Sequence, residues 1–431
     1  MSNNEISASS SGTKYRWTVL SGTFLTYFYD SYDLAVLAVA MPVIIKILHI
    51  DLFHGGLLSS ATMIGAAVGS IVVGLIAENY GRRFAIILSL LEFGLGTMLI
   101  CYVNSWEGWM ALRFLTGIGI GGVWGPCVAL LAAHWSPRYM ARANSLMLST
   151  FAIGWICASM MGRLVFSFDW RYIFLFGGTS ILVALYVWWA LPNDQVVRAK
   201  KGIEQKPSEK IVRLADIFES STRRRTILAT LVNFCQMGGF WGAATWIPTF
   251  LVKERGLEMT EMTAFLALMY TGMFVGYQMF GYLGDTFGRR NTIALCFFID
   301  CVTVPIYLLV PDVNFLFWFG PIMGMAFGGV YGVTGSFLAE LFPSNIRALA
   351  GGFCFNVGRL GAVLAPFTVG YIGQAYGLNA GITCSPVIFA LGVAVTLLLP
   401  ETLTKSARNA KISSRDAARG PSADRNGVLL K

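Results

Sequence analysis

Apolar residues run through this chain in stretches of roughly 20, separated by short polar clusters, and the runs are continuous rather than alternating. A helix needs about 20 such residues to cross a hydrocarbon core of roughly 30 Å. The strands of a membrane barrel would alternate apolar and polar positions instead. Twelve segments stand out, at about 17–40, 55–78, 84–103, 106–133, 141–166, 170–191, 226–251, 260–283, 291–310, 314–339, 347–373 and 383–400. The longest polar interruption, about 192–225, separates six from six. The pattern predicts an all-α membrane protein of twelve transmembrane helices in two six-helix bundles, over 17–191 and 226–400, with a cytoplasmic linker at 192–225. The polar ends at 1–16 and 401–431 read as disordered tails.

Composition narrows the class. Of 431 residues, 55% are hydrophobic and 13% charged, about half the charge that covers a soluble domain. A soluble enzyme, a disulfide scaffold, a coiled coil and a disordered chain are excluded. All 8 cysteines fall in apolar runs without a C-x-x-C pair, so they read as small helix residues rather than as disulfides or metal ligands. The 3 histidines have no ligand spacing. No nucleophile triad or phosphate loop is visible, so neither a catalytic function nor a cofactor or metal is expected. The N-terminus lacks the basic start and short apolar core of a cleaved signal, which leaves the first span as an uncleaved insertion signal.

Lysine and arginine fix the orientation. With both termini inside, 25 of the 32 basic residues lie on the inner side and five on the outer, and Arg113 and Arg359 remain within spans. The net charge of +9 is thus an insertion signal, and a nucleic-acid partner has no support.

The halves echo each other. Gly74-Leu75-Ile76-Ala77-Glu78-Asn79-Tyr80-Gly81-Arg82-Arg83 follows the second span, and Gly281-Tyr282-Leu283-Gly284-Asp285-Thr286-Phe287-Gly288-Arg289-Arg290 follows the eighth, 207 residues later. His134-Trp135-Ser136-Pro137 is matched by Glu340-Leu341-Phe342-Pro343 at 206 residues. Such duplication is the build of many secondary carriers. These loops, together with Arg113-x-x-x-Gly117-x-Gly119-x-Gly121 and Glu340-x-x-Pro343-x-x-x-Arg347, resemble the signature motifs of the major facilitator superfamily. The first loop departs from the common form in Glu78 and Asn79 but keeps the acid. The resemblance implies alternating access, with Glu78, Arg82, Asp285, Arg289, Glu340 and Arg347 at the inner gate.

Ionised side chains inside a bilayer are costly and mark function. Asp30 and Asp33 lie three apart on one face of the first span. Arg113 lies in span four and Arg359 near mid-depth of span eleven, with Asn356 one turn earlier on the same face. A carboxyl in a low-dielectric cavity can take a proton outside and release it once rehydrated inside. Arginine offers a bidentate fork to an organic anion. A proton binder and an anion binder together are the minimum for anion:proton symport. The same residues allow a plainer reading, in which Arg113 pairs structurally with an aspartate and Arg359 with Asp300 or Glu92.

Asp30-Ser31-Tyr32-Asp33 and Asn356-Val357-Gly358-Arg359 resemble the corresponding motifs of the aromatic-acid:proton symporters and the related sialate and organic-acid symporters, with serine at 31 in place of the usual glycine. The resemblance implies a proton-coupled importer of a monocarboxylate, foremost an aromatic acid such as a hydroxybenzoate, with sialate or another organic acid as the near alternative. Asp30 and Asp33 would carry the proton, and Arg113, Arg359, Asn356, Tyr32, Trp124 and Trp241 would contact substrate. Trp124 follows Arg113 by 11 residues, so an unbroken helix would return it to the same face about 16 Å along. A drug:proton antiporter is disfavoured, because span five has no proline. A sensor would need an added signalling domain that neither tail is long enough to hold. A single chain supplies both bundles, so a monomer in the bacterial inner membrane is expected, with protons, a small carboxylate and lipid as its partners.

Overall fold

A computed structural model describes residues 3–135, 137–191, 214–343 and 346–403. Among them twelve long helical segments follow one another: α1 (Asn3–Ile47), α2 (Leu52–Tyr80), α3 (Arg82–Tyr102), α4 (Trp106–His134), α5 (Pro137–Val165), α6 (Arg171–Ala190), α7 (Arg223–Lys253), α8 (Met259–Phe287), α9 (Arg289–Leu309), α10 (Val313–Leu341), α11 (Leu349–Tyr376) and α12 (Leu378–Leu397). Eleven of these segments contain a stretch long and apolar enough to cross a membrane. The other, α8, has 29 residues and so the length, but its threonines, glycines and tyrosines dilute its apolarity. The described residues contain no strand.

Consecutive helices run antiparallel, and contacts at their ends define two faces. At the face bearing the first and last described segments of the chain, Trp17 meets Trp135 edge-on at 5.6 Å, and Thr402 Oγ1 donates to Glu340 at 2.7 Å. At the far face, Trp106 Nε1 donates to the His54 carbonyl at 3.2 Å, and Arg171 Nε to the Cys101 carbonyl at 3.2 Å.

Each half packs around a close helix crossing. In the first, a Cβ on Gly117 would collide with the Thr62 carbonyl and one on Gly65 with the Phe114 carbonyl, so α2 and α4 touch backbone to backbone. The halves meet through α2 against α11, α5 against α8 and α1 against α7. Contacts across this interface begin at the far face. Gly56 faces the backbone of Pro366 and Phe367, Ser60 Oγ donates to the Val363 carbonyl at 2.7 Å, and Trp246 Nε1 to the Pro366 carbonyl at 2.8 Å.

Three stretches of that layout have described structure of their own. The first helix runs from Asn3, through the stretch to residue 16 read above as a tail. The 401–431 tail begins with a packed segment, since Glu401 holds three backbone amides of α9, described below; residues 404–431 lie outside the described residues. Of the 192–225 linker, residues 192–213 lie outside the described residues, and a short 3-10 helix covers Leu214–Phe218.

Candidate functional site

Asp33 of α1 is almost wholly buried and fully engaged. Its Oδ2 accepts from Arg113 Nη1 of α4 at 3.1 Å, and its Oδ1 accepts from the Thr97 hydroxyl of α3. The Arg113 guanidinium also lies over the Phe174 ring of α6, 5.5 Å from its centroid. Four helices of the first half therefore converge on one ion pair. Arg113 retains two buried nitrogens, Nε and Nη2, with no partner among the described residues.

Asp30, one turn earlier, differs. It is buried, yet its Oδ1 has no hydrogen-bond partner among the described residues. The charge it faces is Arg359 of α11, in the other half. Arg359 sits at a one-residue interruption of its helix. It reaches across the interface to donate from Nη1 to the Ala66 carbonyl of α2 at 2.7 Å, and its guanidinium lies 5.8 Å from the Phe355 ring centroid. Tyr27 of α1 and Tyr331 of α10 are its other electrostatic neighbours. Among the described residues Arg359 pairs with neither Glu92 nor Asp300. Glu92 lies against Gly119 with Oε2 unpartnered, and both Asp300 oxygens are buried and unpartnered.

A small cavity between the halves is lined by Asp33, Ser59, Thr62 and Arg113 from one side and by Trp241 and Thr245 from the other. Trp241 continues into an aromatic wall. Its ring is 5.7 Å from Trp155, which lies 4.7 Å from Tyr270. The Trp155 Nε1, Tyr270 hydroxyl and Thr245 Oγ1 are all buried without partners among the described residues. Nearer Arg359, Tyr331 stacks on Phe151 at 6.1 Å and on Tyr277 at 6.4 Å.

The structure brings Asp30, Asp33, Arg113, Arg359 and Trp241 to the interface between the halves. Tyr32 goes elsewhere: it is fully buried, its hydroxyl donates to the Ile173 carbonyl at 2.9 Å, and its ring packs on Phe176 at 5.1 Å. Trp124 does not share a continuous helix face with Arg113, because α4 is interrupted at Gly122 and Val123. Glycines at 121 and 122 weaken the helix there. Trp124 instead stacks across the interface on Phe355 at 5.8 Å and is 44% exposed. Asn356 is exposed and bonds within its own helix to the Gly352 carbonyl at 2.9 Å. Serine at 31 fits because Gly154 stands opposite, and its hydroxyl donates to the Thr150 carbonyl at 3.2 Å. Sequence alone did not single out Thr97, Thr245, Trp155, Tyr27 or Tyr331. For Tyr27 a signal existed, since 27, 30 and 33 share a helix face at successive spacings of three.

At the face bearing the chain ends, the loop expected to gate forms a clamp within the second half. Arg289 bridges Asp285 at 2.6 Å and Glu340 at 3.4 Å. The Glu401 carboxylate accepts the backbone N–H groups of Arg289 at 2.9 Å, Asn291 at 3.3 Å and Arg290 at 3.4 Å. An anion on the exposed N–H groups of α9 also meets the positive end of its dipole. Gly288, at φ 113°, supplies the turn that a side chain would strain. Among the described residues the first half is arranged differently. Its counterpart of Glu340 is His134, Arg82 donates instead to the Ala129 carbonyl at 2.7 Å, and Glu78 is exposed and pairs with no arginine among the described residues. Arg347 is exposed.

Comparison with known proteins agrees with this architecture. A family model described as Major Facilitator Superfamily matches residues 23–299 and 260–429. The chain is 28% identical to a cis,cis-muconate transport protein of Acinetobacter baylyi, over 88% of this chain and 93% of that one. It is 27% identical to a gentisate transporter of Corynebacterium glutamicum, over 89% and 88%. Among solved structures it superposes on a bacterial homolog of the human lysosomal transporter Spinster, in an inward-facing and unoccupied conformation. That match has a TM-score of 0.73 at 18% identity, over 89% of this chain and 96% of that one.

Proposed function

The chain belongs to the Major Facilitator Superfamily and is a multi-pass membrane transporter, and from that premise we propose that it imports an organic monocarboxylate together with protons by alternating access. An aromatic acid such as a hydroxybenzoate is the foremost substrate, and sialate or another organic acid the alternative. All twelve segments, α8 included, cross the bacterial inner membrane with both termini in the cytoplasm, so the face bearing the chain ends is the inner one. A single chain is the working unit.

One observation carries the reading. Of two acids and two arginines inside the bundle, Asp33 and Arg113 pair with each other, while Asp30 has one oxygen without a hydrogen-bond partner among the described residues and faces Arg359 of the other half, which donates from Nη1 to the Ala66 carbonyl. A buried, poorly hydrogen-bonded carboxyl can carry a proton, and a guanidinium offers a fork of N–H donors to a carboxylate. Asp30 and Arg359 lie on opposite halves, so their apposition changes as the halves rock. Trp241 and the wall behind it offer flat apolar surface to a ring. The relatives named for muconate and gentisate transport add support for a carboxylate cargo.

Closure at the far face then corresponds to a shut outer gate, with α2 against α11 and α5 against α8. The Asp285–Arg289–Glu340 clamp stiffens the inner end of the second half so that it moves as a body. The test is uptake of a panel of labelled carboxylates into proteoliposomes with and without an inward proton gradient. Gradient-stimulated uptake of an aromatic monocarboxylate is expected. No stimulation of any carboxylate would remove the proposal.

A further inference from the structure

We infer that Thr245 of α7 is a specificity-determining residue: its hydroxyl hydrogen-bonds an uncharged hydroxyl at the end of the substrate remote from the carboxylate. The carrier then selects a hydroxylated ring over the same ring with an apolar group in that place. The inference rests on the proposed transport function and deepens it, by assigning the cargo an orientation and its selectivity a residue.

The small cavity between the halves presents unsatisfied groups from both sides. Of its polar lining, Asp33 is spent on Arg113 and Thr97, and the Thr62 hydroxyl donates to the Leu58 carbonyl at 3.2 Å. Arg113 on the first half keeps Nε and Nη2, and Thr245 on the second keeps Oγ1, all buried and without partners among the described residues. Thr245 is only 1% exposed, and a hydroxyl held that far from water without a partner is costly. Arginine can only donate, whereas a threonine hydroxyl donates or accepts. A substrate hydroxyl between them accepts from the guanidinium and donates to Thr245, which satisfies both sides at once. A methyl satisfies neither. A second carboxylate would add a negative charge beside Asp33, whose own charge Arg113 already balances. The space is also small, with room for a group of about the size of a hydroxyl or a water.

Helix α2 serves as a ruler between the two ends of the cargo. Arg359, the proposed seat of the carboxylate, holds the Ala66 carbonyl at 2.7 Å. At about 1.5 Å per residue, Ser59 and Thr62 of the cavity lining stand roughly 6–10 Å along α2 from Ala66, towards the far face. A benzoate with a substituent opposite its carboxylate spans such a separation. Along α7 the order is the same. Trp241 comes one turn before Thr245, and both line the cavity. The guanidinium, the indole and the hydroxyl therefore follow one another in the order of a carboxylate, a ring and a ring hydroxyl, with the indole face available to the ring.

The experiment compares the affinities of the purified full-length protein for 4-hydroxybenzoate and 4-methylbenzoate, which are of similar size but differ in the hydrogen bond. An apolar pocket discriminates weakly between such a pair, whereas a site built to bond a hydroxyl discriminates strongly. The wild type should favour the hydroxylated acid by about tenfold, the worth of a buried hydrogen bond. Thr245→Val, which puts a methyl in place of the hydroxyl, should bring the ratio towards one, and Thr245→Ser should keep the preference. Neither change removes a hydrogen bond among the described residues. Should the valine variant fail to fold, Thr245→Ala lacks the hydroxyl too and gives the same reading. A wild-type ratio near one, or a preference undiminished in the variants that lack the hydroxyl, would overturn the inference and leave a carboxylate carrier standing. If neither acid binds while another carboxylate is transported, the inference again falls alone. If no carboxylate is bound or transported, the transport reading itself falls and takes this inference with it.

Discussion

Arg359 separates an anchor from a strut. Replacing it by lysine keeps the charge but loses the planar fork, so carboxylate affinity should fall while some transport remains. Replacing it by alanine should cost about 2–5 kcal/mol of binding, by analogy with buried charge pairs. The protein should still reach the membrane, because among the described residues the side-chain hydrogen bond lost is to one carbonyl, that of Ala66. A binding titration on purified Arg359→Ala that matches wild type would end the anchor claim. The two aspartates should part company in the same way. Asp33→Asn strands the Arg113 charge inside the first half and should destabilise it by about 3–5 kcal/mol. Adding Arg113→Gln should recover expression without recovering transport. Asp30→Asn should instead fold and lose gradient-driven accumulation. Equal melting temperatures for Asp33→Asn and wild type would contradict this division. The sequence showed that four charged residues lie inside spans, because position along an apolar run is a one-dimensional fact. It could not show which acid meets which arginine. Asp33 and Arg113 are 80 residues apart and meet only because α1 and α4 pack in one bundle. The plainer reading of Arg113 as a structural partner is what the geometry displays, while two of its nitrogens stay unspent.

Several elements depend on caps and breaks that apolar periodicity does not report. The N-terminus of α9 is capped by Glu401 from beyond α12, at more than a hundred residues' distance. Glu401→Ala should cost about 1 kcal/mol, as for an ordinary N-cap, and should speed hydrogen exchange at the amides of Arg289 and Asn291. Unchanged exchange there would mean that the clamp on α9 is held by Arg289 and its acids alone. At the far face Asp51 caps α2, accepting the His54 N–H at 2.8 Å. Partial burial acts to raise the Asp51 carboxyl, but hydrogen bonds from the His54 backbone and side chain and from Gln374 outweigh it and hold the group below its ordinary range. A depressed carboxylate stabilises above its unfolded value and loses that contribution as pH falls through its folded one. The start of α2 should therefore loosen in acid below the usual carboxylate range and stay firm at neutral pH. The protection of the His54 amide, taken against its intrinsic exchange rate at each pH, reads this directly, and a protection factor that does not fall in acid would contradict it. The interruption of α4 at Gly122 belongs to the same class. Gly117 packs closely against the Thr62 carbonyl, but the glycine run it belongs to also breaks the helix, and Trp124 beyond the break stacks on Phe355.

At the scale of the molecule, duplication was readable from the paired loops, and the halves do repeat each other's construction. Gly65 and Gly117 bring α2 onto α4 as Gly272 and Gly324 bring α8 onto α10. Their differences are as informative. The Asp285–Arg289–Glu340 clamp sits in the second half, where the first half has His134 in place of the second acid, so the second half should be the stiffer at its inner end. Asp30, whose Oδ1 has no hydrogen-bond partner among the described residues, lies on the first half and the cation it faces, Arg359, on the second. On the proposed mechanism coupling needs both halves, and the direction of the driving gradient is the property that depends on the whole assembly at once. The most direct measurement is accumulation of a labelled aromatic monocarboxylate by purified protein in vesicles with an imposed pH difference. Vesicles alkaline inside should concentrate the anion above its external level, and vesicles acidic inside should not. Robust accumulation in the acidic-inside vesicles, or equal uptake under both gradients, would contradict proton-coupled import.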